Sequence, residues 1–144
     1  SIPHMRKAGG GVIISSASVQ GLQSMGGVSA YAASKGGDLS LMRQMSLDFA
    51  ADNIRVVSVN PGAIDTPMVR NAIAGTAGNL EDELISTGKA HPLGRIGQTE
   101  DIANMVLFLA SDRAAFITGS YFNVDGGLMA MGAWAGTVGA DGSN

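Results

Sequence analysis

Three short runs in this chain are apolar or β-branched with little alternation, and helix-like stretches separate them. They are Val12-Ile13-Ile14, the run holding Ile54, Val56, Val57 and Val59, and residues 120–124 ahead of the turn Asp125-Gly126-Gly127. A strand with one wet face alternates apolar and polar residues; a continuous β-branched run needs cover on both faces. Parallel strands in turn require long crossovers rather than hairpins. The order helix end, β, α, β, interrupted α, α, β therefore predicts an α/β fold, with three parallel strands and flanking helices.

The helices show their own punctuation. Residues 1–8 read as a helix closed by Gly9, Gly10 and Gly11. Residues 29–51 turn helical, with Leu41, Met42, Met45 and Phe49 marking one apolar face and Ala33, Gly36, Gly37 and Ser40 a small-residue stripe. A mid-helix glycine costs about 1 kcal/mol relative to Ala, so close backbone approach is expected along that stripe. Asn53 suits a left-handed helix end. Thr66-Pro67 reads as an N-cap followed by Pro at the first helical position, and residues 67–95 as a helical excursion broken at Gly75, Gly78 and Gly88. A helix follows from Thr99 to about Ser111, its first turn carrying Glu100 and Asp101.

Composition narrows the function. With 144 residues there is room for one domain. A formal net charge of −3 is too mild for a nucleic-acid surface. No cysteine is present, which removes disulfides, thiolate metal sites and a Cys nucleophile, and no metal is expected. The longest apolar run, residues 105–110, falls far short of the ~20 needed to cross a bilayer. A cytoplasmic protein without membrane attachment is the expectation.

Ser18, Tyr31 and Lys35 carry the chemistry. Ser18 follows the first strand, and ligands of open α/β sheets sit at the strands' carboxyl ends. Tyr31 and Lys35 lie four apart near a helix start and so share a face. Such a set suits proton transfer at an alcohol oxygen. A free phenol has a pKa near ~10, and bringing one to about 7 takes ~4 kcal/mol. An ammonium ~4 Å away supplies about 1 kcal/mol in water but ~4 at an effective dielectric of 20, so the pair works only in a partly dry crevice. A nearby hydroxyl can hold the substrate oxygen, a role for which Ser16 competes with Ser18. Singly these residues read as a loop cap, a half-buried aromatic and a solvated lysine.

The segment GVIISSASVQGLQSMGGVSAYAASKGG, with its Ser thirteen residues ahead of Tyr-x-x-x-Lys, resembles the catalytic region of the short-chain dehydrogenase/reductase family, in the manner of its 3-oxoacyl-acyl-carrier-protein reductases. VVSVNPGAIDTPM and HPLGRIGQTEDIANMVLFLASDRAAFITGSYFNVDGG resemble the family's later motifs, and the likeness runs from Gly10 to Leu128. It implies the C-terminal part of a Rossmann-type doubly wound sheet and hydride transfer between NAD or NADP and a small-molecule alcohol or ketone. Tyr31 would be the general acid/base, Lys35 its modulator and ribose ligand, and Ser18 the substrate-orienting hydroxyl. Pro61, Gly62, Ile64 and Thr66 would contact the cofactor, with backbone at Ile64 on the carboxamide. Residues 1–128 would be a catalytic half, 67–95 its substrate lid, and 129–144 a flexible Gly/Ala-rich tail. A homo-oligomer, dimer or tetramer, is also implied.

The family's Gly-rich pyrophosphate loop is not found in these residues; Gly132, Gly136 and Gly139 follow no strand. The expectation is an N-terminally truncated oxidoreductase with little activity alone. The alternative is a non-catalytic oligomerisation module that keeps the same fold, with Ser18, Tyr31 and Lys35 as relics.

Overall fold

The computed structural model describes residues 1–74 and 78–132. Strands β1 (Gly11–Ser16), β2 (Ile54–Pro61) and β3 (Tyr121–Val124) form one sheet in the order β1-β2-β3. Both pairings are parallel, with Ile13 beside Val56 and Val59 beside Phe122. Five α-helices are described, α1 (Ile2–Lys7), α2 (Ser29–Asp48), α3 (Pro67–Ala74), α4 (Leu80–Lys89) and α5 (Thr99–Ala110), with short 3-10 turns between elements.

The central strand explains the apolar runs. Side chains alternate across a strand, and both directions from β2 are covered. Ile54 and Val56 pack with Met42, Met45 and Phe49 of the α2 layer, while Val57 and Val59 pack with Leu109, Val106 and Ile102 of α5. β1 follows the same alternation, Ile13 toward α2 and Val12 and Ile14 toward α5. It stands at the sheet's edge, however, and is only half-buried where burial on both faces was expected.

The α2 face is narrower than its sequence pattern suggested. Met42 is buried, but Leu41 stands exposed with Leu47. Within the small-residue stripe, a Cβ on Gly37 would meet nothing and one on Gly36 only the Gly21 carbonyl, at 3.7 Å. The tight approach falls instead on Gly21, in the loop opposite. Asn53 does take the left-handed conformation, at φ 57°, and its side-chain amide donates to Gly9 O.

Polar groups lock the layers. Arg55 sends its guanidinium to Leu109 O at 2.9 Å and to Ser111 O and Ile117 O at 3.4 Å, satisfying carbonyls at and beyond the end of α5. Ser58 Oγ donates to Asn60 Oδ1, and Asn60 Nδ2 donates across the strands to Asn123 Oδ1. Residues 128–130 form a 3-10 turn; the remainder of the expected tail, from residue 133 on, lies outside the described residues.

Candidate active site

The carboxyl end of β1 delivers the first wall. Ala17 N–H donates to Val59 O, prolonging the parallel pairing by one residue. Ser18 then takes an extended conformation and caps a single 3-10 turn, Val19–Gly21, its Oγ accepting the Gln20 N–H at 3.1 Å. The capping bond uses Oγ as acceptor and leaves the O–H as donor. The turn sits directly on α2: a Cβ on Gly21 would lie 2.8 Å from the Lys35 backbone carbonyl. Only glycine seats the Ser18 loop so close to the helix carrying the other two residues.

Tyr31 and Lys35 occupy successive turns of α2. Lys35 Nζ donates to Ser16 O at 2.8 Å, stands 3.5 Å from Asp38 Oδ2, and lies 5.7 Å from the centre of the Tyr31 ring. The ammonium is thus tied to the end of β1, within cation–π range of the phenol ring. Ser16 enters through its carbonyl, as the acceptor for the lysine.

The second wall is the turn that leaves β2. Gly62 N–H donates to Val124 O, Ala63 O accepts from Gly97 N–H, and Asp65 N–H donates to Gly97 O. Ala63 N–H donates to Nε2 of His91, a buried histidine that opens the HPLGRIGQ stretch and to which the sequence assigns no role of its own. Ile64 is itself buried, and among the described residues its N–H meets no acceptor. A backbone donor on the cleft wall can serve an external acceptor. Thr66 Oγ1 accepts from Val69 N–H and so caps α3, as its sequence position suggested.

Between these walls lies a cleft of about 540 Å³. Ser18, Tyr31, Lys35, Pro61, Gly62, Ile64 and Thr66 all line it, so residues up to 48 positions apart come together, with Met68, Val69 and Ile102 adding apolar surface. The volume falls in the range of small-molecule and cofactor sites. Between Ile64 and Thr66 in the chain, Asp65 is gripped by Arg70 through two bonds, at 2.6 and 2.7 Å, which hold that carboxyl below its ordinary range. Arg95 does the same to Asp101, which also accepts the Gln98 N–H at the start of α5; that carboxyl is lowered to about 2. Among the described residues no cluster of metal-ligating side chains occurs, and no helix is long and apolar enough to cross a membrane.

A family model described as enoyl-(acyl carrier protein) reductase matches residues 1–129. The chain belongs to the short-chain dehydrogenase/reductase family. It is 42% identical over 125 residues to a cyclohexanol dehydrogenase of Acinetobacter, covering 87% of this chain and 46% of that protein. It resembles the ligand-free aldohexose dehydrogenase of Thermoplasma acidophilum, with a TM-score of 0.85, 36% identity, and coverage of 92% of this chain and 53% of that one. An L-sorbose reductase of Gluconobacter frateurii, solved with NADPH and L-sorbose, matches with a TM-score of 0.82 and 32% identity over 90% of this chain and 51% of its own. The chain spans about half the length of the short-chain dehydrogenase/reductase relatives it matches, and its sheet is part of a Rossmann-type fold.

Proposed function

We propose that this chain carries the catalytic residues of an NAD- or NADP-dependent oxidoreductase that interconverts a small-molecule alcohol and its ketone. The observation that carries the reading is the convergence of Ser18, Tyr31 and Lys35 with the turn of residues 61–66 on one cleft. The residues present fit a nicotinamide. The Ile64 N–H is a backbone donor in want of an acceptor such as a carboxamide, and Lys35 and Thr66 add polar groups to the same cleft from its two walls. When bound, the dinucleotide supplies the hydride acceptor or donor. Lys35, with Tyr31, holds the ribose side, and Pro61, Gly62, Ile64 and Thr66 hold the nicotinamide and phosphate side.

The chain's own residues manage the proton. Ser18 donates its O–H to the substrate oxygen and fixes its direction. The Tyr31 phenol gives its proton to that oxygen during reduction and takes it back during oxidation. The Lys35 ammonium, anchored on Ser16 O, stands beside the Tyr31 ring, and Met68, Val69 and Ile102 add apolar surface to the cleft in which the proton moves. Residues 67–95, with α3 and α4, serve as the substrate lid.

This activity is that of the whole protein, and the 144-residue chain by itself is expected to turn over little. Leu41 and Leu47 on α2, Leu107 on α5 and Phe116 stand exposed, which supports self-association into a dimer or tetramer. The test is cofactor-dependent turnover of an alcohol or ketone panel by the full-length protein, with Tyr31→Phe as control. Removal of the phenolic proton donor is expected to lower kcat by roughly 10²–10⁴-fold. Turnover unchanged by Phe sinks the role given to Tyr31, and no turnover with either nucleotide favours the non-catalytic module.

A further inference from the structure

We propose that His91 is a positioning residue for this site, holding the turn of residues 61–64 through an acceptor bond made only by its neutral, Nδ1-protonated imidazole. The kinetic consequence rests on the oxidoreductase reading; the bond rests on geometry alone. His91 follows α4 and is 96% buried, its relative exposure being 4%. Nδ1 lies 2.9 Å from Thr87 O, and Nε2 lies 3.2 Å from Ala63 N. A carbonyl can only accept and a backbone N–H can only donate, so one state satisfies both neighbours: proton on Nδ1, lone pair on Nε2. The other tautomer sets donor against donor at Ala63, and so does the imidazolium.

The surroundings are shaped for this ring. It sits between the turns that end β2 and β3, and both turns present glycine to it. A Cβ on Gly62 would lie 3.0 Å from Nε2, and one on Gly126 would lie 3.2 Å from His91 Cβ. The charged groups sharing its cavity wall are already engaged. Asp125 turns its two oxygens to the N–H groups of Gly127 and Met129, and Arg95 and Asp101 pair with each other. The other hydrogen bonds at Gly62, Ala63 O and Asp65 are backbone to backbone, and Thr66 Oγ1 donates to Ile64 O at 3.3 Å. His91 adds a side-chain bond, and through Thr87 O it ties the end of α4, in the lid, to the cofactor-contacting turn.

The chain has two histidines, so His4→Gln leaves one imidazole for long-range ¹⁵N–¹H correlation in the full-length protein. The expected pattern is the Nδ1–H tautomer at neutral pH. His91→Leu is expected to speed exchange of the Ala63 amide at least ~10-fold, the loss of about 1.4 kcal/mol of local protection. His91→Gln, whose Oε1 offers an acceptor at similar reach, restores most of that protection. In kinetics, Leu lowers kcat/KM for the nucleotide by roughly 10-fold and Gln recovers it, since small misplacement of a positioning element is costly. An Nε2–H tautomer, an Ala63 exchange rate indifferent to Leu, or wild-type kinetics in the Leu variant overturns the proposal. If Leu fails to fold, the tautomer and the Gln variant decide. Absent turnover in the wild type counts against the oxidoreductase reading instead, and the tautomer and exchange data still settle the bond.

Discussion

Gly21→Ala isolates what the contact between the Ser18 loop and α2 contributes. The alanine Cβ would stand 2.8 Å from the carbonyl carbon and oxygen of Lys35 and 3.0 Å from Leu39 Cδ1. Ordinary carbon contacts lie near 3.5–4.0 Å, so the methyl intrudes by ~0.7 Å or more. The obstacle is helix backbone, which cannot rotate aside. Gly21 does not have a positive φ, so the cost is steric alone, about 1–3 kcal/mol for overpacking of this kind. If the loop yields instead, Ser18 shifts away from the face that carries Tyr31, and a ~1 Å misplacement can cost about 10²-fold in rate. Gly36→Ala tests the opposite side of the same contact. There the methyl meets Gly21 O at an ordinary 3.7 Å, and replacing a helical glycine gains up to about 1 kcal/mol. Urea denaturation of both variants, with turnover measured alongside, gives the comparison. A wild-type midpoint for Gly21→Ala, or greater destabilisation by Gly36→Ala, refutes the reasoning.

Asp101 makes a prediction about acid. Its carboxyl is held at about 2, by Arg95 first and then by the Gln98 N–H, against an ordinary value near ~3.9. The folded-state value is depressed, so its contribution is complete above about pH 4 and is lost as the pH falls toward 2. Asp101→Asn should flatten the acid limb of a thermal-denaturation profile in that window, leaving the part that Asp65 contributes; an unaltered limb contradicts the assignment. Arg55→Met keeps the aliphatic stem but strips the donors from Leu109 O, Ser111 O and Ile117 O. A loss of about 1.5–3 kcal/mol in urea unfolding is expected, with faster amide exchange at the end of α5.

The central strand β2 was legible because its burial is two-sided, at Ile54, Val56, Val57 and Val59, whereas β1 and β3, at the edges of the described sheet, are only partly covered. Tyr31 and Lys35 were legible because one helical turn fixes their relation before any tertiary contact forms. Leu41 was misread as core, since a residue adjacent to buried Met42 can still turn outward when the covering layer is narrow. The glycines of α2 suggest close approach along the helix, whereas the tight contact belongs to Gly21 in the facing loop. His91 opens the HPLGRIGQ stretch, but the sequence assigns it no role of its own. A lone histidine after a broken helix has no spacing to betray it, and its role arises from two turns that lie 64 residues apart in sequence, at Gly62 and Gly126. The signal that was available is the small residue at the end of each strand, which leaves room for a ring between them.

The parallel sheet also governs how this chain acquires its structure. Gly11 pairs with Ile54 and Ser58 with Tyr121, so no strand can zip onto its neighbour from a tight hairpin. Each pairing waits for a loop of about 40 to 60 residues to close, which slows folding and prolongs the life of collapsed, half-assembled species. During that interval the hydrophobic run at Val12, Ile13 and Ile14 has no cover. Recovery from denaturant should therefore fall as protein concentration rises, and slow dilution should outperform rapid dilution at high concentration.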